Sequence, residues 1–201
     1  MVTVKLYVEG AGKTDLERQQ CRQAFSTFFG APGLLPVKRP RTIPCGGRKS
    51  AYDAFVAAVK TAKHDDVPLL LVDAEDAVQP GHTVWQHLKS RDDWGKPVGA
   101  NDDQAFLMVQ IMETWFLADR DMLRAYFGDA FSEKHLRAWP SLEDVPKAKV
   151  YEALAKATAQ CKTKTYSKGR ISFEMLGKLN PVKVEKACPH AKALLERLRS
   201  L

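Results

Sequence analysis

Two apolar runs that each end abruptly in acid constrain this chain more than any other feature: LYVEG at residues 6–10 and LLLVDAED at residues 69–76. Runs of this kind are predicted to be strands buried on both faces. A carboxylate at the tip of a buried strand is costly unless something charged meets it there. In an open parallel sheet the tips lie along one edge, where ligands bind. Glu9, Asp73 and Glu75 are therefore expected to converge on one divalent cation. Asp73 and Glu75 are two positions apart, so continued strand geometry would send both side chains to the same side. Gly10 lets the backbone turn sharply after Glu9.

The order of elements points the same way. Residues 2–8 read as a strand, 13–29 as a helix, 41–45 as a short strand, 46–63 as a glycine-opened helix and 68–73 as a third strand. This β-α-β-α-β order predicts an α/β fold, a Rossmann-like three-layer core with a mostly parallel sheet. Residues 74–103 are polar and carry Gly81, Gly95 and Gly99, and are expected to form a long loop in which Trp85 and Trp94 pack. Residues 105–111 read as a fourth strand running into a helical stretch at 112–119. Further helices are expected at about 120–127, 130–137, 148–160, 171–178 and 182–199. The organisation expected is an α/β core over 1–120 and a helical C-terminal extension over 121–201 packed on it.

The chain of 201 residues is 45% hydrophobic, enough for one sizeable core. No apolar run approaches membrane-spanning length, and MVTVKLYVEG lacks a signal peptide's layout, so a cytoplasmic protein with no membrane partner is expected. The four cysteines form no zinc-like pair and read as free thiols. The net charge of +7 is unevenly spread. From Lys147 onward there are 13 Lys/Arg against 4 Asp/Glu, whereas Asp65–Asp103 holds 9 acids against 3 bases. A further basic cluster comprises Lys38, Arg39, Arg41, Arg48 and Lys49. Basic surface beside an acidic site suits a metal enzyme acting on a polyanion such as nucleic acid, although basic helical faces also serve solubility.

Two chemistries compete for the acids. The segment GAGKT at residues 10–14 ends like a phosphate-binding P-loop whose Lys13 would meet phosphate, with Asp73 assisting magnesium. However, Tyr7 stands where that motif needs its first glycine, and Glu9 would repel phosphate from the nest. The other reading is a metal-dependent phosphodiesterase. Mg²⁺ or Mn²⁺ held by Glu9, Asp73 and Glu75 would polarise a phosphodiester and activate water. Glu113, Asp15 and Asp76 are candidates for additional ligands, Glu113 being read equally well as a carboxylate at a helix N-terminus. Lys168 and Arg170 are candidates to clamp phosphate, and Arg48 and Lys49 to bind it at a glycine-led helix start. Lys168 and Arg170 also read as a basic helix entry, and Arg48 and Lys49 as an ordinary capped turn. His82 and His87 lack zinc spacing, and the four tryptophans are expected to pack.

The VEG closing the first strand and the Asp-x-acid closing a later one resemble a Toprim domain, with Glu75 where that pattern usually carries Asp. More closely, LYVEG, CGGRKSAYDAF (45–55), LLVDAED, WQHLKSRDDW (85–94), DQAFLMVQIMETWFLAD (103–119) and YSKGRISFEML (166–176) resemble the bacterial family of domain of unknown function 4276, regarded as Toprim-like. The resemblance implies that Glu9 is the Toprim glutamate, acting as acid/base or metal ligand, and that Asp73 and Glu75 are the metal-binding pair. It also implies a nuclease, working with an ATPase partner in defence against foreign DNA. The alternative is a non-catalytic nucleic-acid-binding or regulatory subunit of an ATPase complex.

Overall fold

A computed structural model describes residues 2–10, 12, 14–36, 39–161 and 165–201. The sheet has four strands, β1 (Thr3–Val8), β2 (Arg41–Pro44), β3 (Asp66–Asp73) and β4 (Ala105–Met108), in the order β2-β1-β3-β4 and parallel throughout. Alternation along the strands divides their side chains between two cores. Leu6, Val8, Leu69, Leu71, Phe106 and Met108 face one side, and Leu70, Val72, Ala105 and Leu107 the other. Both faces are covered, as an all-parallel sheet requires.

The helices distribute according to the handedness of their crossovers. The chain passes from β1 through α1 (Asp15–Phe29) to β2 on one flank, then through α2 (Arg48–Thr61) back across to β3 on the other. Right-handed crossovers in opposite directions put the two helices on opposite faces. Accordingly, Phe25 and Phe28 of α1 join the first core, and Ala51 and Phe55 of α2 the second. The reversal opens a crevice at the carboxyl ends of β1 and β3, the place where open α/β sheets bind ligands.

The segment 74–103, expected as a loop, contains a helix, α3 (Val84–Asp92). Thr83 and Gln86 form a reciprocal capping box at its start, and Trp85 and Leu88 anchor it to the second core. The fourth strand, expected to reach residue 111, stops at Met108, opposite Asp73, the last residue of β3. Beyond it lie α4 (Thr114–Leu117), α5 (Arg120–Phe127), α6 (Lys147–Thr158), α7 (Arg170–Leu176), α8 (Pro181–Ala187) and α9 (Pro189–Arg199). The helix expected at 130–137 is only a 3-10 turn at Glu133–His135. The single helix expected at 182–199 is two, since Pro189 has no N–H and forces Cys188 to extended geometry, φ −128° and ψ 96°.

Residues beyond 120 share the first core with the sheet: Val150, Leu154, Met175, Leu194 and Leu195 belong to the same apolar cluster as Leu6 and Leu71. Of the described residues, all four cysteines are free. No helix among them is long and apolar enough to cross a membrane.

Candidate functional site

Carboxylate oxygens of Glu9, Asp73 and Glu75 lie within 4.8 Å of one another at the mouth of the crevice. Glu9 follows β1 directly. Its N–H donates to the Leu71 carbonyl (3.0 Å), continuing the ladder one residue past the strand. Its carboxylate accepts the backbone N–H of Asp73 (3.1 Å). Asp73 closes β3, and its carboxylate accepts the Met112 N–H (2.8 Å).

Glu75 arrives differently from the expectation of continued strand geometry. It lies in the left-handed region at φ 67°, and its N–H donates to the Gln110 carbonyl (2.6 Å). That conformation costs a non-glycine residue on the order of 1 kcal/mol or more. It bends the chain back over the end of β4 and keeps the third carboxylate beside the other two.

Concentrated negative charge perturbs these acids. Burial, only partly offset by the Arg48 charge and the Asp73 N–H, pushes the Glu9 carboxyl up to about 7. Asp73 keeps some surface on the crevice, yet loss of solvent, followed by the charges of Glu9 and Glu113, holds its carboxyl well above the usual range. Burial also opposes the Glu75 charge, but Lys147, with help from Arg48 and Arg91, outweighs it and holds Glu75 low. The Lys147 ammonium donates to Glu75 Oε2 at 2.5 Å.

Arg48, at the first position of α2, approaches Glu9 Oε2 to 3.7 Å without a hydrogen bond. It is held from behind by Asp92 and by the ring of Trp94, 5.1 Å from its guanidinium carbon. Trp94 in turn stacks on Tyr52 at 4.7 Å. Among the described residues, Arg48 Nε and Nη1 are buried with no hydrogen-bond acceptor. The strand-tip acids thus have a cation on each flank.

Glu9, Asp73, Met112, Glu113, Lys168 and Ser172 line a cleft of about 350 Å³. Lys168 lies on its wall with its ammonium 4.4 Å from the centre of the Tyr151 ring. Glu113 also lines the cleft but is not one of the three gathered acids. It is 5% exposed, and its carboxylate accepts hydroxyls from Tyr166 (3.0 Å), Ser172 (3.2 Å) and Tyr151 (3.5 Å). Three of its roughly four lone-pair sites are thus occupied, and it serves as an anchor for α6 and α7 instead of joining the gathered acids.

Other candidates lie elsewhere. Asp15 is fully exposed at the start of α1, and Asp76 pairs with Arg91 (2.9 Å). Lys49 is exposed and pairs with Asp53 (2.5 Å). Arg170 pairs with Glu174 (2.7 Å) and lines a separate groove between α1 and α7. His87 is buried against the Ala74 carbonyl (3.0 Å). Lys13 and Lys38 fall outside the described residues. The P-loop reading meets two obstacles. The Gly10 N–H is engaged by the Gly46 carbonyl (2.9 Å), and α1 is capped by Thr14 and Glu17, which places a carboxylate where phosphate would sit.

Lys147, Tyr151, Tyr166, Ser172 and Asp92 complete the site and escape sequence reasoning. Lys147 and Tyr151 carry no motif, whereas Asp92 falls in WQHLKSRDDW and Tyr166 and Ser172 in YSKGRISFEML, segments that signal the family without giving these side chains a role.

The donor set fits a hard divalent cation: all oxygen, drawn from three carboxylates, in a place where burial penalises their unneutralised charge. Comparison with curated proteins and with solved structures finds no match. A family model, Domain of unknown function (DUF4276), matches residues 8–199, and since this is nearly the whole chain, from the tip of β1 to the end of α9, the protein belongs to that family.

Proposed function

We propose that the protein is a Mg²⁺- or Mn²⁺-dependent phosphodiesterase of Toprim type acting on nucleic acid. The gathering of Glu9, Asp73 and Glu75 at the carboxyl edge of the sheet carries this reading. These three would hold the ion, which when bound supplies polarisation of the phosphodiester and a more acidic water. Lys168, on the cleft wall, contacts a non-bridging phosphate oxygen. Arg48 brings two unused donors to the same edge and stabilises charge that grows during cleavage. The Glu9 carboxyl, at about 7, is matched to proton exchange at neutral pH. The reading includes a cytoplasmic setting, and an ATPase partner in defence against foreign DNA that the Toprim resemblance implies.

The test is cleavage of labelled single- and double-stranded DNA and RNA with Mn²⁺ or EDTA. Cleavage by the wild type in Mn²⁺, lost in Glu9→Gln and in Asp73→Asn, is the expected result. Equal cleavage in EDTA, or undiminished cleavage by both variants, overturns the reading.

The ion pairs of Glu75 with Lys147 and of Glu9 with Arg48 favour a second reading. In it the protein is a non-catalytic nucleic-acid-binding or regulatory subunit of an ATPase complex whose acids hold a structural ion. That reading expects no cleavage, and salt-sensitive nucleic-acid binding that survives Glu9→Gln.

A further inference from the structure

A second surface, away from the acids, collects positive charge around an aromatic ring. Between α6 and residues 132–139 lies a groove of about 300 Å³ lined by Lys134, His135, Arg137, Trp139, Lys149 and Lys156. The segment is fixed to the helix by the Ser132 N–H, which donates to the Ala157 carbonyl (2.8 Å). Glu152 is the one acid in the lining, shared between Lys149 (2.8 Å) and Lys156 (2.7 Å). Lys134 and Arg137 are exposed, and neither side chain makes an ion pair among the described residues. The remaining tryptophans are engaged: Trp94 stacks on Tyr52, Trp115 on Phe28, and Trp85 lies against Phe55. Trp139 is half-buried, packs in part against the first core and lines the groove, and among the described residues it has no aromatic partner.

We propose that this groove seats one nucleotide unit of a single-stranded nucleic acid, the cations taking its phosphates and Trp139 stacking on its base. A cationic track with an unpaired aromatic is the recurring chemistry of single-strand binding, tolerant of sequence because every base has a flat face. An acidic peptide would use the cations but not the ring. The volume is at the lower end of small-ligand clefts, so the strand continues beyond it. The helix that forms one wall also reaches the acid site: Lys147 meets Glu75, and Tyr151 meets Glu113. From Lys147 to Lys156 is roughly 14 Å along the helix axis. A strand held in the groove is thereby presented to the acids, a role that rests on the phosphodiesterase reading, although the binding itself does not.

The test is fluorescence anisotropy of a short labelled oligonucleotide in EDTA, where no cleavage intervenes. Arg137→Glu combined with Lys156→Glu is expected to weaken binding about tenfold or more and to flatten the log–log salt dependence by about 1.4. Lys186→Glu combined with Lys192→Glu, an equal charge change at exposed positions of α8 and α9, is expected to leave binding unaltered. Trp139 fluorescence is expected to be quenched by the strand. Unchanged binding in the double variant, tighter binding of duplex than of single strand, or displacement by polyglutamate as readily as by unlabelled oligonucleotide overturns the proposal. Groove binding without any metal-dependent cleavage overturns the catalytic reading alone. Cleavage with binding unaffected by the double variant overturns the groove alone.

Discussion

The Glu9 carboxylate accepts the backbone N–H of Asp73 at 3.1 Å, joining two strand tips that are 64 residues apart in sequence. The bond exists because β1 and β3 are neighbours, although β2 separates them along the chain. It places a second carboxylate, that of Asp73, in the same crevice. Two acids brought together under burial resist ionising together. The protein therefore holds charge tension at this edge, which protons, Arg48 and Lys147 relieve in the metal-free state.

Asp73→Asn is expected to separate stability from metal binding. The Asn carbonyl can still accept the Met112 N–H, and the repulsion with Glu9 and Glu113 disappears. Above neutral pH, metal-free Asp73→Asn should be more stable than metal-free wild type, seen as a higher Tm. The rise in Tm that Mn²⁺ gives the wild type should vanish. Thermal unfolding at pH 8 with and without Mn²⁺ measures both, and a metal-induced shift that survives the substitution counts against Asp73 as a ligand.

The pH dependence has a definite sign. Burial raises the Glu9 carboxyl to about 7 in the folded protein from an ordinary value of 4.5. A raised folded value makes the native state hold a proton that the unfolded chain has released. The associated stability is complete below 4.5 and lost as pH climbs through about 7. Metal-free wild type should lose stability across that window, and Glu9→Gln should flatten the loss. Mn²⁺ competes with the same proton, so its affinity should rise with pH over the same range. Tm and isothermal titration from pH 5 to pH 8 check the two slopes.

Glu9 and Asp73 were legible in the sequence because each closes a buried strand, and a parallel sheet brings such tips to one edge. Glu75 was legible as a member of the group but not in its conformation. The left-handed turn depends on the Gln110 carbonyl, a partner supplied by the end of β4. The tyrosines around Glu113 were hidden for a related reason. Tyr151 and Tyr166 reach it from 38 and 53 residues away, and a hydroxyl has no periodicity that foretells its acceptor. Helix α3 was obscured by its brevity: two buried apolar anchors over nine polar-rich residues leave little amphipathic signal. Arg170 shows the opposite limit. It lies only two positions from Lys168, yet its pairing with Glu174 draws it to the α1–α7 groove.

Lys147→Met tests whether the ammonium guards the metal position. Lys147 holds Glu75 in the metal-free molecule, through a pair whose members are 39% and 24% exposed. Its backbone N–H, which donates to Gln110 Oε1 at 3.1 Å, is retained in the variant. A partly exposed pair contributes about 0.2–1 kcal/mol, so removing the competitor should tighten Mn²⁺ binding by at most about fivefold. The Glu75 carboxyl should rise from its lowered position. Weaker Mn²⁺ binding in the variant would instead make Lys147 a support for the site. Isothermal titration with Mn²⁺ at fixed pH separates the two.

Tyr166→Phe probes the anchor behind the cleft. Burial and then the Glu113 charge raise the Tyr166 phenol, so it stays a donor across the working pH range. Phe keeps the ring but removes the shortest of the three hydroxyl bonds to a carboxylate that is 5% exposed. Loss of a hydrogen bond to a charged group costs about 1.5–3 kcal/mol, or roughly 5 °C in Tm. Glu113→Gln, which keeps an acceptor oxygen, should cost less, and Glu113→Leu, which strands three hydroxyls, should cost more. The chain runs from Tyr166 to Lys168 in two residues, and Ser172 of α7 shares the same carboxylate. The loosened anchor should therefore also weaken phosphate capture by Lys168, seen as a rise in KM for cleavage with a smaller change in kcat. A fall in Tm with KM unchanged would confine Tyr166 to folding.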